Sequence, residues 1–175
     1  KAGGSSYTLA VDSTSDNYAG DFTLDIEEFT PPANGTCSAP KPLTFSSGKA
    51  VATGDTSGVP NEYGTSINCG NYKAILYGNQ LYYRLSAAAG KSYSISLSPD
   101  YSAARFYVFS GTCTDSAINK DCSSAGISGL VSSYISKGKT GTMTFKPAAA
   151  GDYVIAVDGT SNLYFGSFTL TVTES

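Results

Sequence analysis

The chain has 175 residues, a net charge of −3 and only 14% charged residues, against a usual quarter. The acidic balance excludes the basic face that nucleic acid requires, and no run of 18 apolar residues is present to span a membrane as a helix. With no histidine in the chain, Ser-His-Asp and Cys-His catalysis and a mixed cysteine/histidine zinc site cannot be built.

In chain order, Tyr7, Leu9 and Val11 alternate with small or polar residues, and Phe22, Leu24 and Ile26 do the same. The period of two predicts a β-hairpin over residues 5–29 whose buried face is those six side chains. Residues 7–28 recur as 153–174, an offset of 146, with 12 of 22 positions identical and no gap. Tyr7-Thr-Leu-Ala-Val-Asp12 returns as Tyr153-Val-Ile-Ala-Val-Asp158, and Tyr18-Ala-Gly-Asp-Phe-Thr-Leu24 as Tyr164-Phe-Gly-Ser-Phe-Thr-Leu170. Self-similarity at a fixed offset marks an array of repeated units. Residues 1–30 therefore read as a hairpin duplicating the C-terminal hairpin of the unit, and 31–175 as one unit of ordinary single-domain size. Lys1, where an initiator methionine would stand, points to a processed or excised segment, and no signal peptide is visible. Two copies of one hairpin cannot fill one slot. Residues 5–29 are expected to pack against a sheet outside their own unit, with Tyr7, Leu9, Val11, Phe22, Leu24 and Ile26 as inter-subunit contacts. The competing outcome is an extra edge on their own sandwich.

Pro31-Pro32-Ala-Asn-Gly-Thr36 reads as the linker between the two parts. Its Asn34-Gly35-Thr36 matches a glycosylation acceptor, but an ordinary turn is the better reading. Residues 54–79 read as a long polar loop stapled by Cys69, and 110–130 as a second loop. Strands are predicted at 80–86 and 104–109, which are continuously apolar, and around Tyr93/Ile95/Leu97, Met143/Phe145, Tyr153/Ile155/Val157 and Phe168/Leu170/Val172, which alternate. No segment shows a helical period. One face apolar and the other Ser/Thr is the pattern of antiparallel sheets that stack in pairs, so the fold class is an all-β antiparallel β-sandwich, jelly-roll-like.

The four cysteines, Cys37, Cys69, Cys113 and Cys122, lack the C-x2-4-C spacing of an all-cysteine zinc site and read as disulfides, which implies an oxidising compartment outside the cytoplasm. The short gap between Cys113 and Cys122 suggests a local staple and leaves Cys37 to Cys69.

Residues 43–173 resemble the bacterial pre-peptidase C-terminal domain family, in its cysteine-containing, tandemly repeated version on secreted and surface proteins. Gly78-Asn-Gln-Leu-Tyr-Tyr-Arg-Leu85 is similar to the strand written D-x-D-Y-Y-x-F, Ala88-Ala-Gly-Lys-Ser-Tyr-Ser-Ile95 to the A-G-x-x-Y/L-x-V turn, and Phe106-Tyr-Val-Phe109 to the D-x-x-L-Y strand. Pro147-Ala-Ala-Ala-Gly-Asp-Tyr-Val-Ile-Ala-Val157 resembles P-x-x-G-x-Y-Y-I-x-V, and Gly166-Ser-Phe-Thr-Leu-Thr-Val172 the closing G-x-Y-T-L-x-V. The resemblance implies a jelly-roll-like sandwich with no catalysis of its own, found beside secreted proteases, in adhesins and in surface arrays. Gly78-Asn79-Gln80 departs from the family's aspartates, which puts a metal role at that turn in doubt.

For chemistry, Ser-x-x-Lys occurs three times (Ser38–Lys41, Ser46–Lys49, Ser136–Lys139), a frequency that a serine-rich chain produces without catalysis. Asp55 and Glu62 are the one carboxylate pair that could be imagined in glycoside chemistry, with no cleft to argue for it. Calcium is the one cofactor considered, because hard cations take oxygens from turns. Its candidate ligands are Asp12 with Asp16, Asp158 with Asn162, Asp55 with Asn61 and Glu62, and Asp115 with Asn119 and Asp121. The plain alternative is that Asp12 and Asp158 cap their own turns. Strand tyrosines Tyr7, Tyr83, Tyr93 and Tyr153 are assigned to the core. Loop tyrosines Tyr63, Tyr72, Tyr77, Tyr101 and Tyr134 are candidates for a contact face.

The function expected is a non-catalytic extracellular or cell-surface building block of a fibre, filament or tandem array. Its partners would be other copies of itself or neighbouring repeats, and beyond them extracellular protein or polysaccharide. The alternative is a binding accessory module of a secreted hydrolase.

Overall fold

The computed structural model describes residues 8–13, 15, 17, 20–26, 28–63, 67–69, 72–124 and 134–175, with backbone only at 67–69, 72–75, 120 and 122–124. Two four-stranded sheets stack as a β-sandwich. The first (sheet A) has the order β1(Lys41–Pro42), β5(Leu81–Ala87), β9(Gly151–Gly159), β7(Ala104–Ser110). The second (sheet B) has the order β2(Lys49–Asp55), β10(Ser167–Glu174), β6(Tyr93–Pro99), β8(Gly141–Phe145). All pairings in the two sheets are antiparallel except β1 with β5, a parallel contact of two residues at the edge, where Pro42 is tolerated.

The period-2 residues build the core. Ile95, Leu97, Leu170 and Val172 of sheet B meet Leu85, Phe106, Val108, Ile155 and Val157 of sheet A, all of them fully buried. Aromatic pairs bridge the layers edge to face: Tyr83 with Phe168, ring centroids 6.1 Å apart, and Phe145 with Tyr153 at 4.9 Å. Sheet A is also covered outside. Tyr82, Ala156, Tyr107 and Phe109 alternate with the core residues yet are buried. A 3-10 turn at Ala33–Gly35 packs on β5, and α1(Asp115–Ser124) packs on β7 and on β3(Ile67–Cys69), which pairs with β4(Tyr72–Ile75). Burial on both faces explains why β5 and β7 read as continuous apolar runs.

Several expectations are corrected. The stretch 110–130 contains a helix: Thr114 caps it, with the Ala117 amide 3.4 Å from Thr114 Oγ1 and the Ile118 amide 2.9 Å from Thr114 O. The stretch 54–79 contains the β3–β4 ladder. Residues 33–37 are no free linker, because Asn34 is buried and its Nδ2 donates to Tyr82 O at 3.1 Å, which makes Asn34-Gly35-Thr36 a fixed turn. The strands of the C-terminal repeat do not form a hairpin, since β9 lies between β5 and β7 in sheet A and β10 between β2 and β6 in sheet B. The repeated element is a corner that crosses the sandwich. Among the described residues of 8–30 there is no strand, and Leu9, Val11, Phe22, Leu24 and Ile26 are exposed in the single chain. Tyr7 lies outside the described residues.

The disulfide pairing is also corrected. Cys37 is bonded to Cys113, 76 residues away, with Cα atoms 5.8 Å apart. The expected Cys113–Cys122 staple fails because Cys113 is already bonded to Cys37, and the gap between Cys113 and Cys122 is not a simple loop but the start of α1, which carries Cys122. The side chains of Cys69 and Cys122 lie outside the described residues.

Candidate functional site

Two features stand out as surfaces or sites. The first is a loop knot at one end of the sandwich, organised by Asp158. β9 ends there, and Asp158, fully buried, accepts the Gly78 amide on Oδ1 at 2.9 Å and the Tyr77 amide on Oδ2 at 3.1 Å. Burial pushes its pKa up from 3.8 to about 7, against the opposing pull of the Gly78, Tyr77 and Gly159 amides and of Arg105. Gln80 continues the knot: its Nε2 donates to Leu76 O at 2.9 Å, and its Oε1 accepts the Glu62 amide at 2.9 Å. Glu62 Oε2 in turn accepts the Cys37 amide at 2.8 Å. Thr56 Oγ1 accepts the Gly166 amide at 3.1 Å and donates to Gly166 O at 3.3 Å. Most of these bonds tie one loop to another, joining residues 77–78 to Asp158, Gln80 to Glu62, Glu62 to Cys37 and Thr56 to Gly166.

The calcium candidates are thereby spread over separate structural tasks. Asp158 holds the 77–78 backbone, Glu62 holds Cys37, and Asp12 caps Ser13 at 2.8 Å. Asp55 accepts the Ser57 amide and Ser167 Oγ, both at 2.7 Å. Burial pulls the Asp55 pKa up, and these bonds outweigh it, so the carboxyl is held below its ordinary value. Asp121 Oδ2 accepts the Ser110 amide at 2.9 Å and the Ser110 hydroxyl. Asn162 is exposed, and Asp16 lies outside the described residues. Among the described residues no group of three His, Cys, Asp or Glu is placed to hold a metal ion. Of the loop tyrosines, Tyr101 is buried, Tyr77 and Tyr134 are exposed, and the Tyr72 side chain is outside the described residues, so they do not share one described face.

The second feature is the outer face of sheet B, which single-residue motif reading misses. The registers align Thr53, Thr169 and Ser98 in one row, Val51, Thr171, Ser96 and Thr142 in a second, and Lys49, Thr173, Ser94 and Thr144 in a third. Ser96 Oγ and Thr142 Oγ1 are 2.9 Å apart, and Ser98 Oγ and Thr140 Oγ1 2.8 Å. The rows repeat at about 6.7 Å along each strand and the columns at about 4.8 Å across strands. A shallow depression of about 440 Å³ lies at the end of this face, lined by Thr53, Ser98, Asp100 and Thr169 among others. Such a face offers rows of hydroxyl donors and acceptors. The signal was present in the sequence as Ser/Thr at every second position of three strands, β6, β8 and β10.

No family model matches the chain, and no curated protein matches it. Among solved structures it is similar to PliG of Aeromonas hydrophila, a periplasmic lysozyme inhibitor of g-type lysozyme. The identity is 16% and the TM-score 0.46, over 78% of this chain and 96% of that one. A likeness that distant bears on neither partner nor site.

Proposed function

We propose that this chain is a non-catalytic extracellular structural or adhesive β-sandwich, one member of a row of like units in a surface fibre, filament or tandem array. The observation that carries the reading is the duplication of 153–174 at 7–28, a spare copy of the β9–β10 sequence whose described apolar residues Leu9, Val11, Phe22, Leu24 and Ile26 are exposed in the single chain. The Cys37–Cys113 disulfide supports an oxidising compartment outside the cytoplasm. The ordered pieces similar to the pre-peptidase C-terminal domain family support the same reading, as does a polar surface with no histidine to activate a nucleophile. Partners are accordingly other copies of the unit. Immunogold labelling of the producing cells, with antibodies against the purified chain, tests this. Regularly spaced label on extracellular or surface structures is the expected result, and label confined to the cytoplasm overturns it.

The hydroxyl face of sheet B favours a second reading, a polysaccharide-binding accessory module of a secreted hydrolase. Under it, the chain co-sediments with an insoluble polysaccharide such as chitin or cellulose, and Thr171→Lys abolishes this without lowering the melting temperature. Failure to sediment with either rejects that reading.

A further inference from the structure

Residues 7–28 match 153–174 in more than their core-facing residues. Leu9, Val11, Phe22, Leu24 and Ile26 align with Ile155, Val157, Phe168, Leu170 and Val172. The first set is between 49% and 75% exposed, while the second is between 0% and 4%. Burying a side chain of this size stabilises by roughly 1.5–3 kcal/mol, so the exposed set is built for an environment that this chain does not supply to it. The outer-facing residues agree as well. Ala156 stands opposite Tyr82 on one side and Tyr107 on the other, both buried, and its counterpart is Ala10. Asp158 anchors the Tyr77–Gly78 backbone, and its counterpart is Asp12. A strand added to an open sheet edge needs neither a small residue between two tyrosines nor a carboxylate to hold a neighbouring loop. A strand in the β9 position needs both.

We infer that residues 7–28 are fitted to the β9–β10 seat of a second copy of this sandwich, one strand entering each sheet, and that they occupy it when that copy's own pair is out. This rests on reading the chain as one of a row of like units. With Phe29 where it lies, chain connectivity excludes the chain's own seat. There, Glu28 would have to stand at Glu174, which pairs beside Gly48 and Lys49 at one end of β10. The next residue, Phe29, lies with its ring against Gly58, beyond the opposite end of the ladder where Asp55 pairs with Ser167. The seven steps from Ser167 to Glu174 span about 23 Å, and one residue spans about 3.8 Å. The turn of the seat also favours the chain's own pair, because it leaves no room for a side chain at Gly159. A Cβ at Gly159 would lie 2.0 Å from Tyr164 O, and the first copy carries Ser13 at that position. The second copy's seat is therefore available only where that copy's own pair is absent or displaced.

A double-mutant cycle on the full chain tests this. Leu170→Asp places a charge in the closed core and ejects the chain's own pair, whereas Leu24→Asp disables only the spare one. Leu24→Asp alone is expected to melt as the wild type does. Leu170→Asp is expected to stay folded as assemblies seen by light scattering, with a melting temperature that rises with protein concentration. Leu170→Asp with Leu24→Asp is expected to be unfolded at every concentration. The inference is overturned if Leu170→Asp is as unfolded as the double variant, if it folds as a monomer, or if the double variant folds equally well. The coupling between the two sites is what a merely tolerant core would not produce. If the cycle holds while the labelling experiment fails, the seat assignment stands and the reading as a surface array falls. The reverse pattern leaves the array and removes the seat.

Discussion

Asp158 accepts the Gly78 amide at 2.9 Å from a position with no solvent exposure, and so joins the end of β9 to a turn 80 residues earlier in the chain. The raised pKa of about 7 against an ordinary 3.8 means that the folded state binds a proton the unfolded chain releases. Between those values the native state holds more protons, so this group's contribution is fully present below about pH 4 and is lost as pH rises to about 7. A tenfold difference in proton affinity between the two states is worth about 1.4 kcal/mol.

Asp158→Asn should flatten that part of the pH dependence of stability. At neutral pH the asparagine carbonyl still accepts one amide, while its NH2 faces the other, and an unsatisfied buried amide costs about 1–3 kcal/mol. Urea denaturation from pH 4 to 8 measures both effects. A wild-type stability that rises through this window, with the same rise in Asp158→Asn, would show that Asp158 does not titrate as described.

The Cys37–Cys113 bond closes a loop of 76 residues, for which the chain-entropy account gives about 4.5 kcal/mol at 25 °C. Cys37→Ala with Cys113→Ala should lower stability by about 2–4 kcal/mol while keeping the fold. Non-reducing peptide mapping should give a Cys37–Cys113 linked peptide and a second peptide joining Cys69 to Cys122, because β3 and α1, which carry them, pack together. A Cys113–Cys122 peptide would reject this pairing.

The sandwich was legible because alternation is strict where one face of a strand is wet. Every second residue of β6, from Tyr93 to Leu97, and of β10, from Phe168 to Val172, is buried. The helix was illegible because periodicity needs a stripe. Ile118 is the buried apolar residue of α1 among those described, and one residue makes no period. Cysteine pairing by spacing failed for the same reason, since the unseen helix separates Cys113 from Cys122. The repeat was visible at once, but not that its two strands belong to different sheets. Alternation sets which way a side chain points and leaves open which strand lies beside it. In the sequence Asp158 reads equally as a metal ligand, because an aspartate ending a strand looks the same whether it meets a cation or two amides.

Gly78 is required by close approach rather than by its backbone angle. A Cβ there would lie 2.6 Å from Gly159 O and 2.7 Å from Asp158 Oδ1. Gly78→Ala should therefore cost about 2–3 kcal/mol or more, since the carboxylate must move from the two amides it holds. Gly151→Ala has nothing within 4 Å of its new methyl and should be neutral within about 0.5 kcal/mol. Thermal melts of the pair decide it, and equal effects would reject the packing account.

The turn between the copied strands gives the final prediction. Gly159→Ser places in the second copy the residue that the first copy has at Ser13. The new Cβ would meet Tyr164 O at 2.0 Å and Ser161 O at 3.1 Å. Both are backbone atoms, so no side chain can swing aside. The turn has to open, and the Tyr164 amide bond to Ser161 O, now 3.1 Å, has to lengthen or break. The expected loss is about 1–3 kcal/mol, read as a lower melting temperature. Ser13→Gly, in a segment exposed in the single chain, should leave the melting temperature unchanged. Equal melting temperatures for Gly159→Ser and the wild type would show that the closing turn is slack, and that the chain's own strand pair has no advantage over the spare one.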